Sequence, residues 1–379
     1  MNKKEISEIK KQFRERNCSI SRICGCYVDG DKKIKTMFRQ SFLSLDHEEM
    51  FKYFELFRKS LSGTIGKNLN TMEFPTESEM SGGTQDFLLR LRDSGLNDDE
   101  LLQEYYDRII SSYDYVGNYL ILVIHDSYDV PGKATDGTYM DDASDTVYEY
   151  ILTTICPVNL SKPGLSYDAT DNIFVNRIRD WVVEMPESAI LFPAFHDRAS
   201  DIHALLYYTK DAANMHDVFI EEILNCPVPM TSDTQKETFA SIIEETVGSR
   251  GDLELMKSIH EHLTQMNEES KEQNEILTFD KDEIKQLLLE SGAEDELFEM
   301  YDSTYETIAD PKSKVYASNV VNTRSFQVKT PNVVIKVDPL HTNLIEKKTI
   351  EGRECLVIAL DGDVEVNGVR LSRSAGMEE

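Results

Sequence analysis

Two apolar runs in the middle of the chain constrain its fold more than any other feature. Tyr119-Leu120-Ile121-Leu122-Val123-Ile124 is apolar at every position, and Ile202-His203-Ala204-Leu205-Leu206-Tyr207-Tyr208-Thr209 closes the same stretch. Side chains alternate across a strand, so a run apolar at every position must be covered on both faces. Tyr119–His125 is therefore expected at the centre of a sheet with material packed on each side. Segments 147–155, 178–185 and 189–195 between the two runs also read as strands. Pro186-Glu187-Ser188 and His196–Asp201 are short connections, whereas a parallel pair needs a crossover of roughly a dozen residues. The last three strands are accordingly expected to form an antiparallel meander.

Upstream, Ile6, Ile9 and Phe13 recur at helical spacing over 3–16, with Lys and Arg on the polar side. Asp29-Gly30-Asp31 between 20–28 and 32–43 predicts a hairpin, because glycine supplies the positive φ of a tight turn. Asp46 with Glu49 has the capping-box spacing and opens a helix carrying Met50, Phe51, Phe54, Phe57 and Leu61. Further helices are expected at 84–93 and 98–113. Downstream of Ala213 the pattern turns helical, with a second capping box at Asp280 and Glu283. Beyond Pro311 it returns to short strands joined by Asp361-Gly362-Asp363 and Asn367-Gly368. The class expected is α+β: a central, largely antiparallel sheet with flanking helices, an acidic helical segment and a C-terminal β-rich unit. The boundaries read as 1–75, 76–212, 213–310 and 311–371, with a tail at 372–379.

Charge is the one global oddity, a formal net of -29 over 379 residues. It is uneven. Residues 1–39 hold eleven Lys/Arg against five acids, while residues 211–310 hold 26 acids against 6 bases. Patches of opposite sign can steer a charged partner or attract one another within the molecule. The basic opening, with Lys3, Lys4, Lys10, Lys11, Arg14 and Arg16, could contact nucleic acid or a ribosome, since phosphate contacts need clustered cations. No helix-turn-helix, finger or RNP signature accompanies it. Six cysteines without a signal-peptide pattern fit reduced thiols in a cytoplasm. The longest apolar run is about six residues against the ~20 that span a bilayer, which excludes a membrane-embedded protein.

Three segments of the first part, Arg22-Ile23-Cys24-Gly25-Cys26-Tyr27-Val28-Asp29-Gly30, Phe51-Lys52-Tyr53-Phe54-Glu55-Leu56-Phe57 and Leu61-Ser62-Gly63-Thr64-Ile65-Gly66-Lys67-Asn68-Leu69, carry a resemblance. With the closing Val364-Glu365-Val366-Asn367-Gly368-Val369, they resemble an uncharacterised family of Gram-positive bacterial proteins of similar length, described only as a domain of unknown function. The resemblance covers most of the chain. It implies a bacterial cytoplasmic protein and supplies no catalytic residues.

The candidates for chemistry are two His-Asp dipeptides at strand ends. His125-Asp126 closes the first central strand, and His196-Asp197 follows Phe195 with His203 nearby. Imidazole with carboxylate can carry protons or bind a divalent metal, though turn and capping roles for the aspartates explain the same residues. The segment 126–145 reads as a long acidic loop, with Asp136, Asp141, Asp142 and Asp145 as weak candidate ligands for a hard cation. Their offsets do not match an EF-hand. Cys24 and Cys26 share one face of a strand, where small apolar residues pack, and C-x5-C-x-C lacks zinc-site pairing. Gly63–Asn68 is too short for a phosphate loop and has Asn68 where a hydroxyl is required. The leading expectation is a cytoplasmic binding or regulatory protein that meets a protein partner through charged surfaces. The alternatives are a metal-assisted hydrolase built on the His-Asp pairs, and a nucleic-acid or ribosome-associated protein.

Overall fold

The computed structural model describes residues 1–133, 139–273, 275–310, 313–322, 325–360 and 362–371; of Lys133, residues 139–145, Ser249 and Leu371, only the backbone is described. The chain divides into two compact units, Met1–Ser232 and Asp233–Glu379. The class is α+β. No helix among the described residues is long and apolar enough to cross a membrane.

The first unit is organised around one eight-stranded sheet. In chain order its elements are α1 (Lys3–Lys10), β1 (Arg22–Val28), β2 (Ile34–Ser41), α2 (His47–Ser60), β3 (Leu69–Glu73), α3 (Thr84–Asp93) and α4 (Asp99–Ser112). They continue as β4 (Asn118–Lys133), β5 (Tyr139–Leu160), β6 (Leu165–Asp168), β7 (Ile173–Asn176), β8 (Trp181–Val183), β9 (Ser188–Phe192), β10 (Ala194–His196), β11 (Ala199–Asp201) and β12 (Ala204–Thr209). The sheet order is β2-β1-β4-β5-β9-β12-β3, with β8 added to the end of β5. The N-terminal hairpin and β3 thus share a sheet with the central apolar strands.

The expectation for Tyr119–Ile124 holds. Leu120, Leu122 and Ile124 pack on one face with Ile6 and Ile9 of α1 and Phe54 and Phe57 of α2. Tyr119, Ile121 and Val123 pack on the other with Phe87 and Leu91 of α3 and Tyr105 and Ile109 of α4. A layer of helices on each face removes the solvated side that would otherwise demand alternating polarity. Cys24 and Cys26 lie in the α3/α4 layer, as their shared strand face predicts.

Several details differ from the sequence expectation. Strand β4 runs on to Lys133 and pairs with β5 from Tyr139, so Asp126 and Asp129 are strand residues rather than loop residues. Asp136 lies outside the described residues, as does the tail 372–379, and of Asp141, Asp142 and Asp145 only the strand backbone is described. The expected strand 178–185 shortens to β8, which pairs with β5 instead of joining a meander with 189–195. The expected strand 189–195 breaks at Pro193 into β9 and β10, because proline has no N–H to continue a ladder. Asp46 makes no side-chain cap. Its intended partner Glu49 is hydrogen-bonded to Tyr53 one turn on. The capping box of the first unit sits instead at Asn2 and Glu5.

In the second unit, helices Ser232–Val247, Leu253–Gln273 and Lys281–Glu290 bury Phe239, Ile242, Ile259, Leu263, Ile284 and Leu288. The capping box at Asp280 and Glu283 forms as its spacing predicts. Three antiparallel hairpins follow, pairing Phe326–Lys329 with Val334–Val337, Ile345–Ile350 with Arg353–Ile358, and Val364–Val366 with Val369–Leu371.

Candidate functional site

The two His-Asp dipeptides do not form one site. His125 and Asp126 are consecutive on β4 and therefore point to opposite faces of the sheet. The His125 imidazole lies on the α3 side, within hydrogen-bond distance of the Ser21 hydroxyl at 3.2 Å, and burial lowers its pKa. Asp126 projects into the α1/α2 layer and is almost wholly buried. Its carboxylate accepts from Tyr150 at 2.6 Å, from Ser19 at 2.7 Å and from the backbone N–H of Ser127 at 2.9 Å. Burial pushes its pKa up, opposed by these three donors. Ser19, Tyr150 and the stacked ring of Tyr148 close it off, so Asp126 is a buried structural carboxylate.

His196 and Asp197 lie elsewhere, at the tip of the β10–β11 hairpin beside α1. His196 pairs with Ala199 across a two-residue turn in which Asp197 and Arg198 both have positive φ, 46° and 62°. This is the backbone of a tight hairpin turn, held here without glycine. Helix α1 supplies what holds it. Glu5 accepts the Asp197 N–H at 2.9 Å while its other oxygen caps Asn2, and Glu8 accepts two bonds from the Arg198 guanidinium at 2.9 and 3.1 Å. Tyr128 donates to the same Glu8 oxygen at 2.8 Å, and Arg198 reaches the Pro131 carbonyl at 2.8 Å. The turn is thus pinned to α1 and to the long β4–β5 hairpin.

One oxygen-nitrogen-oxygen group could hold a cation here. Ligand atoms of Glu5, His196 and Asp197 lie within 4.8 Å of one another. However, both Glu5 oxygens already accept backbone N–H groups, and the Asp197 side chain is 90% exposed. His203, the fifth candidate, bonds Glu79 at 2.7 Å on the exposed surface, and that carboxylate raises its pKa. Surface concavities on the acidic side of α4 (Asp99, Glu104, Asp107) and, in the second unit, beside Lys257, Lys347 and Lys348 are lined by none of the five candidates.

Several charged contacts escape a reading of the sequence. Glu5 and Glu8 were legible only as helix surface, although Asn2-x-x-Glu5 carries the capping signature. His216, buried and at φ 55°, bonds Asp114 at 2.5 Å and packs on Tyr113. These two residues are far apart in the chain, and no local pattern joins them. Part of the basic opening is likewise consumed within the molecule: Lys35 pairs with Asp29, and Arg39 with Asp99.

Among the described residues, a run of exposed apolar side chains of the first unit lies on an arm between β5 and β9. Beyond the sheet the chain continues as the β6–β7 hairpin, bonded at its base through Ser161 N–H to the Asp180 carbonyl and Arg177 N–H to the Gly164 carbonyl. On one face Leu165, Tyr167 and Phe174 stand together, the two rings 5.6 Å apart. Ile178 and Trp181 follow. Exposures reach 73% for Leu165, 70% for Phe174, 84% for Ile178 and 57% for Trp181.

The family model for DUF4317, a domain of unknown function, matches residues 1–369. The chain belongs to that family. A search of curated proteins found no match. The DUF4317 match spans both compact units, so the sheet unit with its arm and the helical, hairpin-bearing unit belong to one family pattern.

Proposed function

We propose that this DUF4317 chain is a protein-binding protein whose contact surface is the apolar arm formed by β6, β7 and β8. The supporting observation is the exposure of Leu165, Tyr167 and Phe174 side by side on one face of the β6–β7 hairpin, followed in the chain by exposed Ile178 and Trp181. Single exposed apolar residues are ordinary on protein surfaces, but contiguous patches mark interaction sites. A two-stranded hairpin is also marginally stable alone in water, so an uncovered one gains by docking. The arm carries little net charge, with Lys162, Arg177 and Arg179 against Asp168, Asp171, Asp180, Glu184 and Glu187. On a chain of net charge -29, a weakly charged apolar surface approaches other proteins with less repulsion than the rest of the molecule. The partner surface it fits is an apolar groove with few charges at its centre.

The metal-assisted hydrolase reading loses its premise, because His125 lies on the α3 face while His196 lies beside α1. The arm is tested by placing a photo-crosslinking amino acid at Phe174 and, as control, at Val116, which is exposed away from the arm. A discrete cross-linked species from position 174 that is missing from position 116 is expected in the native cell. Equal labelling from both positions, or none from 174, refutes the arm as the contact surface.

A further inference from the structure

A small cavity between α1 and the end of α2 has the chemistry of an anion site. Lys3, Ile6, Ser7 and Lys10 recur at spacings of three and four, which puts them on one face of α1. Opposite them, α2 ends and the chain turns through Ser62 and Gly63, with φ 140° at Gly63. A Cβ there would come within 2.5 Å of Asn68, so glycine permits the close passage that shapes this wall. The cavity is about 210 Å³, with Ile65 and Leu69 as further apolar lining. It opens to solvent and has room for a phosphate and a few carbons.

Its charge is what sets it apart on so acidic a chain. Lys10 donates to the Ser62 hydroxyl at 2.5 Å, and that hydroxyl donates to the Arg58 carbonyl at 2.5 Å. Arg58 and Lys59 stand close enough to lower the Lys10 pKa further after burial has done so. Among the described residues, no carboxylate lies within ion-pair distance of Lys3, Lys10, Arg58 or Lys59. The acids of α1 are turned away: Glu5 caps Asn2 and holds Asp197, and Glu8 is bound by Arg198 and Tyr128. The result is two ammonium groups and the Ser7 hydroxyl above an apolar floor, with like-charged neighbours that an anion would relieve, while Ser62 positions Lys10. Lysines act as point charges toward phosphate, and a hydroxyl can donate to one of its oxygens.

We propose that this cavity binds a phosphate monoester carrying a short apolar group, with the phosphate between Lys3, Ser7 and Lys10 and the apolar part on Ile6, Ile65 and Leu69. The source is either a soluble metabolite or a lipid headgroup of the same chemistry. The test titrates the full chain with butyl phosphate and with inorganic phosphate, followed by ³¹P NMR, and sediments it with phosphatidic acid vesicles. Butyl phosphate is expected to bind saturably and about tenfold more tightly than inorganic phosphate, because burying methylenes adds affinity. Lys10→Met should weaken binding by about tenfold or more, Lys3→Met by several-fold, and Lys4→Met, on the exposed side of α1, not at all. Should Lys10→Met fail to give the wild-type circular dichroism spectrum, Lys3→Met decides alone. Lysine-dependent binding of the soluble ester assigns a metabolite, and lysine-dependent sedimentation without it assigns a lipid headgroup. No binding of either form, or equal binding by wild type, Lys10→Met and Lys3→Met, overturns the proposal.

Discussion

Removing one hydroxyl from the centre of the sheet tests whether Asp126 is the buried structural carboxylate described above. Tyr150→Phe deletes a donor 2.6 Å from that carboxylate and leaves the ring in place against Tyr148. The ring keeps its packing, so no cavity term enters. What remains is the loss of one hydrogen bond to a buried anion, about 1.5–3 kcal/mol. Urea unfolding of the full chain reports this as a fall in midpoint of roughly 1 M, for a slope of about 2 kcal/mol per molar. The pH dependence gives an independent check. Burial raises the folded pKa of Asp126 above its ordinary 3.8, so the group favours the folded state at low pH and this contribution is lost as pH rises through the folded value. Loss of the Tyr150 donor should raise that pKa further. The cost of Tyr150→Phe should therefore be largest where the carboxyl is ionised and shrink on acidification, as it gains its proton in both proteins. A midpoint unchanged within about 0.2 M, or a cost that grows on acidification, would refute the account of a charged carboxylate held by this hydroxyl.

Two further outcomes are expected. Cys24, Cys26, Cys156 and Cys226 are buried, and burial pushes their thiols up to about 11 or 12. A thiol-reactive dye should thus reach at most the half-exposed Cys18 and Cys355 in native protein and all six on unfolding, as counted by mass spectrometry. Asp114→Ala leaves the buried His216 nitrogen without its partner and should lower stability by about 1–3 kcal/mol. Thermal unfolding of that variant within error of wild type would show that the His216–Asp114 contact does not hold segment 214–224 in place.

The sequence by itself determined the centre of the sheet, because the evidence for it is local, while the addition of β1, β2 and β3 to its edges was decided by tertiary pairing. Apolarity at every position of Tyr119–Ile124 requires cover on both faces, and the α1/α2 and α3/α4 layers supply it. The helices α2, α3 and α4 and the β1–β2 hairpin follow from spacing and turn residues for the same reason. Chemistry was not legible in this way. His125-Asp126 looks like a unit in the chain, yet strand alternation sends its two side chains to opposite faces, and only the packed layers show that one of them is sealed beneath Tyr150. His196 reads as a partner of His125, whereas its neighbour is Glu5, brought in by the packing of α1 against the β10–β11 turn. At 126–133 and from Tyr139 on, the expected acidic loop is paired strand because backbone hydrogen bonding between β4 and β5 persists past the apolar core, where polarity alone suggests a turn. Lys3, Ser7 and Lys10 share a helix face that the sequence does show. That this face closes over Ser62 and Gly63, with Glu5 and Glu8 engaged elsewhere, is a property of long-range contacts. Local patterns decide which segments are helix or strand; which charges meet is decided by burial between segments distant in the chain.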